Sequence, residues 1–202
     1  MQNRIILSLD ELSLDACLNL VSRISDRIYA VKIHNLYDAH GPSVVRRLYD
    51  AGARKVWVDA KLHDIPNTVR LRSEAIASSG ANILSVHASG GIAMMKAAVA
   101  GFASDVYAVT LPTSLSEQET RELYGQSAKE KILYFAGLAK LAGVLGVVCS
   151  ANEVGFLSKQ PELQGLEFIV PGVRSFGKEV HDQQRVDTPR NAHRCRSPDH
   201  PS

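Results

Sequence analysis

Short apolar runs recur along this 202-residue chain roughly every 25–30 residues, and that rhythm confines the fold more than any single motif. The runs are Ile5–Leu9, Ala30–Ile33, Lys55–Val58, Ile83–Val86, Val106–Val109, Gly146–Cys149 and Phe168–Val170. Between them, apolar residues fall at helical spacing over Leu14–Ile24, Pro42–Ala51, Thr68–Ser78, Ile92–Ala100, Lys129–Leu141 and Asn152–Leu157. Gly52 and Gly80 each follow a helical pattern and precede an alanine and a strand, the place of a glycine that ends a helix.

Strands alternating with helices predict repeated βαβ units and a parallel sheet. Right-handed crossovers curl such a sheet one way. Seven strands then predict an α/β fold of the TIM (β/α)8 type with one unit short, lacking the eighth strand and the last helix. A seven-stranded open sheet is the second choice. One barrel domain is expected over 1–192, with a polar, disordered tail over 193–202.

The composition narrows the class of protein. A net charge of +2, with basic residues spread out and few aromatics, gives no case for nucleic acid or a membrane surface. The longest apolar run, Leu141–Cys149, is about half of what a membrane span needs. Met1 leads directly into the first strand without a secretory segment, and Cys17, Cys149 and Cys195 have neither metal nor redox spacing. Reduced thiols and no signal make a cytoplasmic protein the expectation. His34 and His40 lack acidic or cysteine partners at ligand spacing, so no metal site is expected.

Polar groups gather where the strands end. Asp10 follows the first strand, Lys32 lies in the second, Asp59 and Lys61 close the third and His87 the fourth. Thr110 and Thr113 follow the fifth, Ser150 the sixth and Arg174 the seventh. Parallel α/β folds place their chemistry at this end of the sheet. The densest stretch is Asp59-Ala-Lys61-Leu-His-Asp64-Ile-Pro-Asn-Thr68. Residues two apart on a strand share a face, so Asp59 and Lys61 should meet, and Pro66 can open the next helix. Two carboxylates and an ammonium at the end of a buried strand are expensive to desolvate and mark a place where charge is used.

These residues resemble those of orotidine 5′-phosphate decarboxylases of the bacterial type. The resemblance is carried by Leu9-Asp10, Val31-Lys32, Asp59 to Thr68, Val86-His87, Leu111-Pro-Thr113-Ser114, Val148-Cys-Ser150, Pro171-Gly-Val-Arg174 and Asp182-Gln183-Gln-Arg185. It implies decarboxylation of orotidine 5′-phosphate to UMP and CO2, a step of pyrimidine biosynthesis, with no metal and no organic cofactor. It also implies that Lys61, Asp59, Lys32 and Asp64 are catalytic. Asp10, Lys32, Ile65, Thr68, Thr113, Arg174 and Gln183 would bind the substrate, with Arg174 and Gln183 on its phosphate. Asp64 and Thr68 would act across a homodimer interface.

After about Ala192 the resemblance stops. The family's eighth strand and its phosphate-gripping Gly-Arg pair have no counterpart in His193–Ser202, so an unstable or partner-dependent form with impaired activity is expected. Two other readings stand beside the decarboxylase. One is a Mg2+-dependent sugar-phosphate decarboxylase or aldolase, which shares Asp-x-Lys-x-x-Asp but carries an acidic metal ligand near the end of strand 2, where this chain has Lys32. The other is a non-catalytic barrel remnant that binds a nucleotide or dimerises.

Overall fold

The computed structural model describes residues 4–172. Strands β1 (Ile6–Ser8), β2 (Ala30–Ile33), β3 (Val56–Leu62), β4 (Ile83–His87), β5 (Asp105–Val109), β6 (Gly146–Val148) and β7 (Glu167–Ile169) stand close to the seven apolar runs. Helices α1 (Leu14–Ile24), α2 (Asn35–His40), α3 (Ser43–Asp50), α4 (Pro66–Ser78), α5 (Gly91–Gly101), α6 (Glu117–Tyr124), α7 (Ala128–Ala142) and α8 (Ala151–Leu157) fill the gaps between them.

The described residues divide into two compact units, one made of residues up to 86 with 97–106, the other of 87–96 with those from 107 on. In the first, β1, β2, β3 and β4 pair in chain order, all parallel. The start of β5 belongs here too, where the Asp105 N–H donates to the Asn82 carbonyl. In the second, β5, β6 and β7 pair in parallel. Within each unit strand order is sequence order. A doubly wound open sheet reverses its order at a switch point. Parallel strands that follow chain order without a reversal are those of the incomplete TIM-type barrel and not of the open sheet.

Strands β2 to β6 are largely buried on both faces, which is why they read as continuous apolar runs, whereas β1 and β7 are only partly covered. Val31, Ile33, Val56, Ile83 and Leu84 are fully enclosed in the first unit, and Ile132, Ala136, Val147 and Leu157 in the second. Helix α4 presents Val69, Ser73 and Ile76 inward, a helical spacing of three and four. At Gly101, which ends α5, an added Cβ would lie 2.5 Å from the Arg70 carbonyl of α4, so only glycine allows that approach.

Two elements differ from the sequence expectation. Helix α2 offers only six residues and one buried side chain, Leu36, too little for a periodic signal. The polar stretch Pro112–Lys129, whose sequence suits a water-excluding loop with a helical patch, carries more helix than that, the whole of α6 and the start of α7. Both helices open on a capping box, Ser116 with Glu119 and Ser127 with Glu130. Among the described residues no helix is long and apolar enough to cross a membrane. The expected tail, 193–202, lies outside the described residues.

Candidate active site

The third strand is irregular where the charges begin. Val58 pairs with Leu84 and Leu62 pairs with Val86, so four steps along β3 match two along β4. Such a bulge re-aims side chains and is common beside active sites. Lys61 takes up the excess with φ of 45°, a left-handed backbone uncommon for a residue with a Cβ. That conformation costs about 1–3 kcal/mol and has to be held by its surroundings. The hold is visible: the Lys61 N–H donates to Ser85 Oγ of β4 at 3.1 Å.

Four charged side chains meet at this end of the first unit. Lys61 Nζ lies 2.7 Å from Asp59 Oδ2, and Lys32 Nζ lies 3.2 Å from the same oxygen. Lys32 Nζ also donates to Asp10 Oδ2 at 2.8 Å. The result is an alternating chain, Asp10–Lys32–Asp59–Lys61. Ser85 Oγ donates to the other oxygen of Asp59, Oδ1, at 2.6 Å, and Ser8 Oγ donates to Asp10 Oδ2. Sheet register makes this possible, because Ser8 stands opposite Lys32 and Lys32 opposite Trp57, two residues before Asp59.

Burial is graded along the chain of charges. The Asp59 side chain is 7% exposed, Lys32 18%, Asp10 37% and Lys61 38%. Burial by itself pushes the Asp59 carboxyl up, but the Lys32 and Lys61 ammoniums and the Ser85 hydroxyl outweigh it, and the net direction is down. Burial pulls Lys32 down, and Asp59 with Asp10 more than reverses this. Asp10 is likewise raised by burial and lowered further by its hydrogen bonds from Lys32 and Ser8. All three are held in their charged forms. Asp10 Oδ1 is buried and has no hydrogen-bond partner among the described residues.

Of the residues expected at the site, Asp10, Lys32, Asp59 and Lys61 come together. Asp64 does not join them. It is exposed, its Oδ1 accepts the Ile65 N–H at 2.6 Å, and among the described residues its carboxylate forms no ion pair. Pro66 stands at the first position of α4, as the sequence predicts, with Thr68 half-buried in its first turn and Ile65 67% exposed just before it. Thr113 is half-buried in a turn after β5 in the second unit. Arg174 and Gln183 lie outside the described residues. Ser85 was not anticipated. Its signal was a lone hydroxyl inside the apolar run Ile83–Val86, where a buried polar group needs a partner.

No group of three or more His, Cys, Asp and Glu side chains that could hold a metal ion occurs among the described residues. Within the cluster, the space between Asp10 and Asp59 is taken by the Lys32 ammonium. A divalent ion there would meet a positive charge already in place.

Known proteins resemble the chain over most of its length. Residues 3–197 match the Orotidine 5′-phosphate decarboxylase / HUMPS family. The chain is 40% identical to the orotidine 5′-phosphate decarboxylase of Cutibacterium acnes over 199 residues, covering 94% of this chain and 83% of that one. It is 41% identical to that of Erythrobacter litoralis over 196 residues, with 95% and 86% covered. The crystal structure of orotidine 5′-phosphate decarboxylase from Lactobacillus acidophilus superposes with a TM-score of 0.80 at 29% identity, covering 96% of this chain and 87% of that one. A family match spanning nearly the whole chain, with relatives 40% identical over most of their length, shows that the chain belongs to the orotidine 5′-phosphate decarboxylase / HUMPS family.

Proposed function

We propose that this chain decarboxylates orotidine 5′-phosphate to UMP and CO2 in pyrimidine biosynthesis, using side chains alone. The observation that carries the proposal is the alternating chain Asp10–Lys32–Asp59–Lys61, whose members are held in place by one another and whose outermost ammonium remains partly open. Breaking the bond from the ring to the carboxylate leaves its electron pair on the ring carbon. An ammonium fixed beside that carbon stabilises the developing charge without having to reorganise. Lys61 then delivers a proton to the carbon, CO2 departs, and solvent restores the proton to Lys61. Asp59 and Lys32 keep Lys61 aimed.

The remaining roles extend the same reading. Asp10 binds ribose hydroxyls, and its partnerless Oδ1 supplies a free acceptor for one. Thr113 contacts the pyrimidine edge or closes over it, and Arg174 and Gln183 hold the phosphate. Asp64, Ile65 and Thr68 serve the site of a second copy in a homodimer. The exposed Asp64 carboxylate, outside any ion pair among the described residues, and the exposed Ile65 support that arrangement. The buried cysteines Cys17 and Cys149 suit a cytoplasmic enzyme.

The family also contains sugar-phosphate enzymes, and Lys32 argues against a metal-dependent member because it sits where a cation would be repelled. The test is formation of UMP from orotidine 5′-phosphate, with and without excess EDTA. Full turnover in EDTA is expected, with a loss of about 10³-fold or more in Lys61→Ala. No UMP from the parent chain, or turnover that EDTA abolishes, sinks the proposal.

A further inference from the structure

We propose that Ser85 is a positioning residue, a two-way clamp that fixes the Asp59 carboxylate and the Lys61 backbone in one gesture; this rests on the decarboxylase reading above. The hydroxyl is fully enclosed, at 0% exposure, in the middle of β4. It uses both of its capacities at the site. As donor it reaches Asp59 Oδ1 at 2.6 Å, and as acceptor it takes the Lys61 N–H at 3.1 Å.

The need for such a clamp follows from the bulge. Where β3 runs four steps against two of β4, the regular ladder is interrupted. A backbone N–H inside a bulge loses the carbonyl that a regular strand would offer it. The Ser85 hydroxyl takes that carbonyl's place for Lys61. It thereby stabilises the left-handed φ of 45° that turns the lysine toward Asp59.

The same atom decides how Asp59 presents itself. Both lysines share Oδ2, at 2.7 and 3.2 Å, which leaves Oδ1 to be pinned from the other side. Without a donor on Oδ1 the carboxylate is free to rotate about its own axis, and each lysine loses its fixed partner. Small displacements at a reacting centre are costly in rate, since the group must sit within a few tenths of an ångström of its productive place.

The test compares Ser85→Ala, Ser85→Cys and Ser85→Thr with the parent. Alanine removes the clamp at no steric cost. Cysteine keeps the size with a weak donor, and threonine keeps the hydroxyl. For Ser85→Ala, kcat should fall about 10- to 100-fold with KM little changed. Threonine should restore most of the rate and cysteine little. By carbon-13 NMR, the Asp59 carboxyl should titrate at higher pH in the alanine variant than in the parent. A merely structural serine would lower the melting temperature and leave kcat of the folded protein alone. A kcat for Ser85→Ala within twofold of the parent, measured well below its melting temperature, overturns the proposal. Should the parent itself form no UMP, the decarboxylase reading fails, and an unshifted Asp59 titration separately overturns the clamp.

Discussion

The first unit carries two charged networks, one at each end of its strands, and they are built to opposite specifications. At the N-terminal ends, Lys55 Nζ is bound by Tyr29 Oη at 2.7 Å and by Asp105 Oδ2 at 3.0 Å. Beside them the Asn82 side chain accepts from the Val56 N–H and from Tyr49, while the Asn82 carbonyl accepts from the Asp105 N–H and Ser104 Oγ. One cation meets one anion, and the neutral groups tie β3, β4 and β5 together. At the C-terminal ends, two lysines crowd one carboxylate oxygen, Asp10 Oδ1 has no partner among the described residues, and two residues, Glu11 and Lys61, have a left-handed backbone. The lower network pairs its charges one to one. The upper one keeps unused capacity and local strain, the signature of a site that a ligand completes.

The sharpest break of this comparison concerns Asp64 and the proposed homodimer. On that proposal, purified Asp64→Asn and Lys61→Ala should each lose nearly all turnover. Mixing the two under exchange conditions should bring activity back, because one site of each hybrid dimer is intact. No recovery on mixing would place Asp64 in its own protomer's site or outside the reaction.

The lower network provides the next contrast. Lys55→Met should destabilise the fold by about 1–2 kcal/mol, since Lys55 is only partly buried, and should leave kcat within about twofold at temperatures where the variant is folded. Urea unfolding and UMP formation on the same preparation check both halves. A large loss of rate at full stability would mean that the two ends are not divided as described.

The smallest effect is in pH dependence. Asp10 and Asp59 both titrate lower in the fold than in the unfolded chain. Their contribution to stability is therefore present above the unfolded carboxylate value, about 3.9, and lost as pH falls through the folded values. Lys32 and Lys55 titrate higher in the fold, so their contribution is present below about pH 10.4 and lost as pH rises through their folded values. Urea midpoints should be level between these limits and fall outside them. Asp59→Asn should flatten the acid side and Lys55→Met part of the alkaline side.

How much of this could be read from sequence depended on whether the physics was local. Asp59 and Lys61 are two apart on a strand, so their meeting follows from strand geometry alone. Lys32 and Asp10 could be placed because every strand ends at the same edge. The bulge could not be read, because lysine is a poor candidate for a left-handed residue and nothing in Val56–Leu62 announces one. Ser85 was hidden for a related reason: its partners lie on another strand and are set by a register that only the fold displays. The capping boxes at Ser116 and Ser127 were present in the sequence but masked by the polarity around them. The resemblance to a family supplied roles for Arg174 and Gln183 that no local pattern would have suggested.

The mismatch of β3 against β4 has a consequence for how this segment can change. Because side chains alternate along a strand, removing Ala60 would turn the ammonium from the mouth of the site into the wall behind it. Every chemical group would still be encoded and the reaction would still be gone. The spacing of this stretch thus constrains descent as tightly as its letters do, and an insertion or deletion there is a heavier lesion than most substitutions.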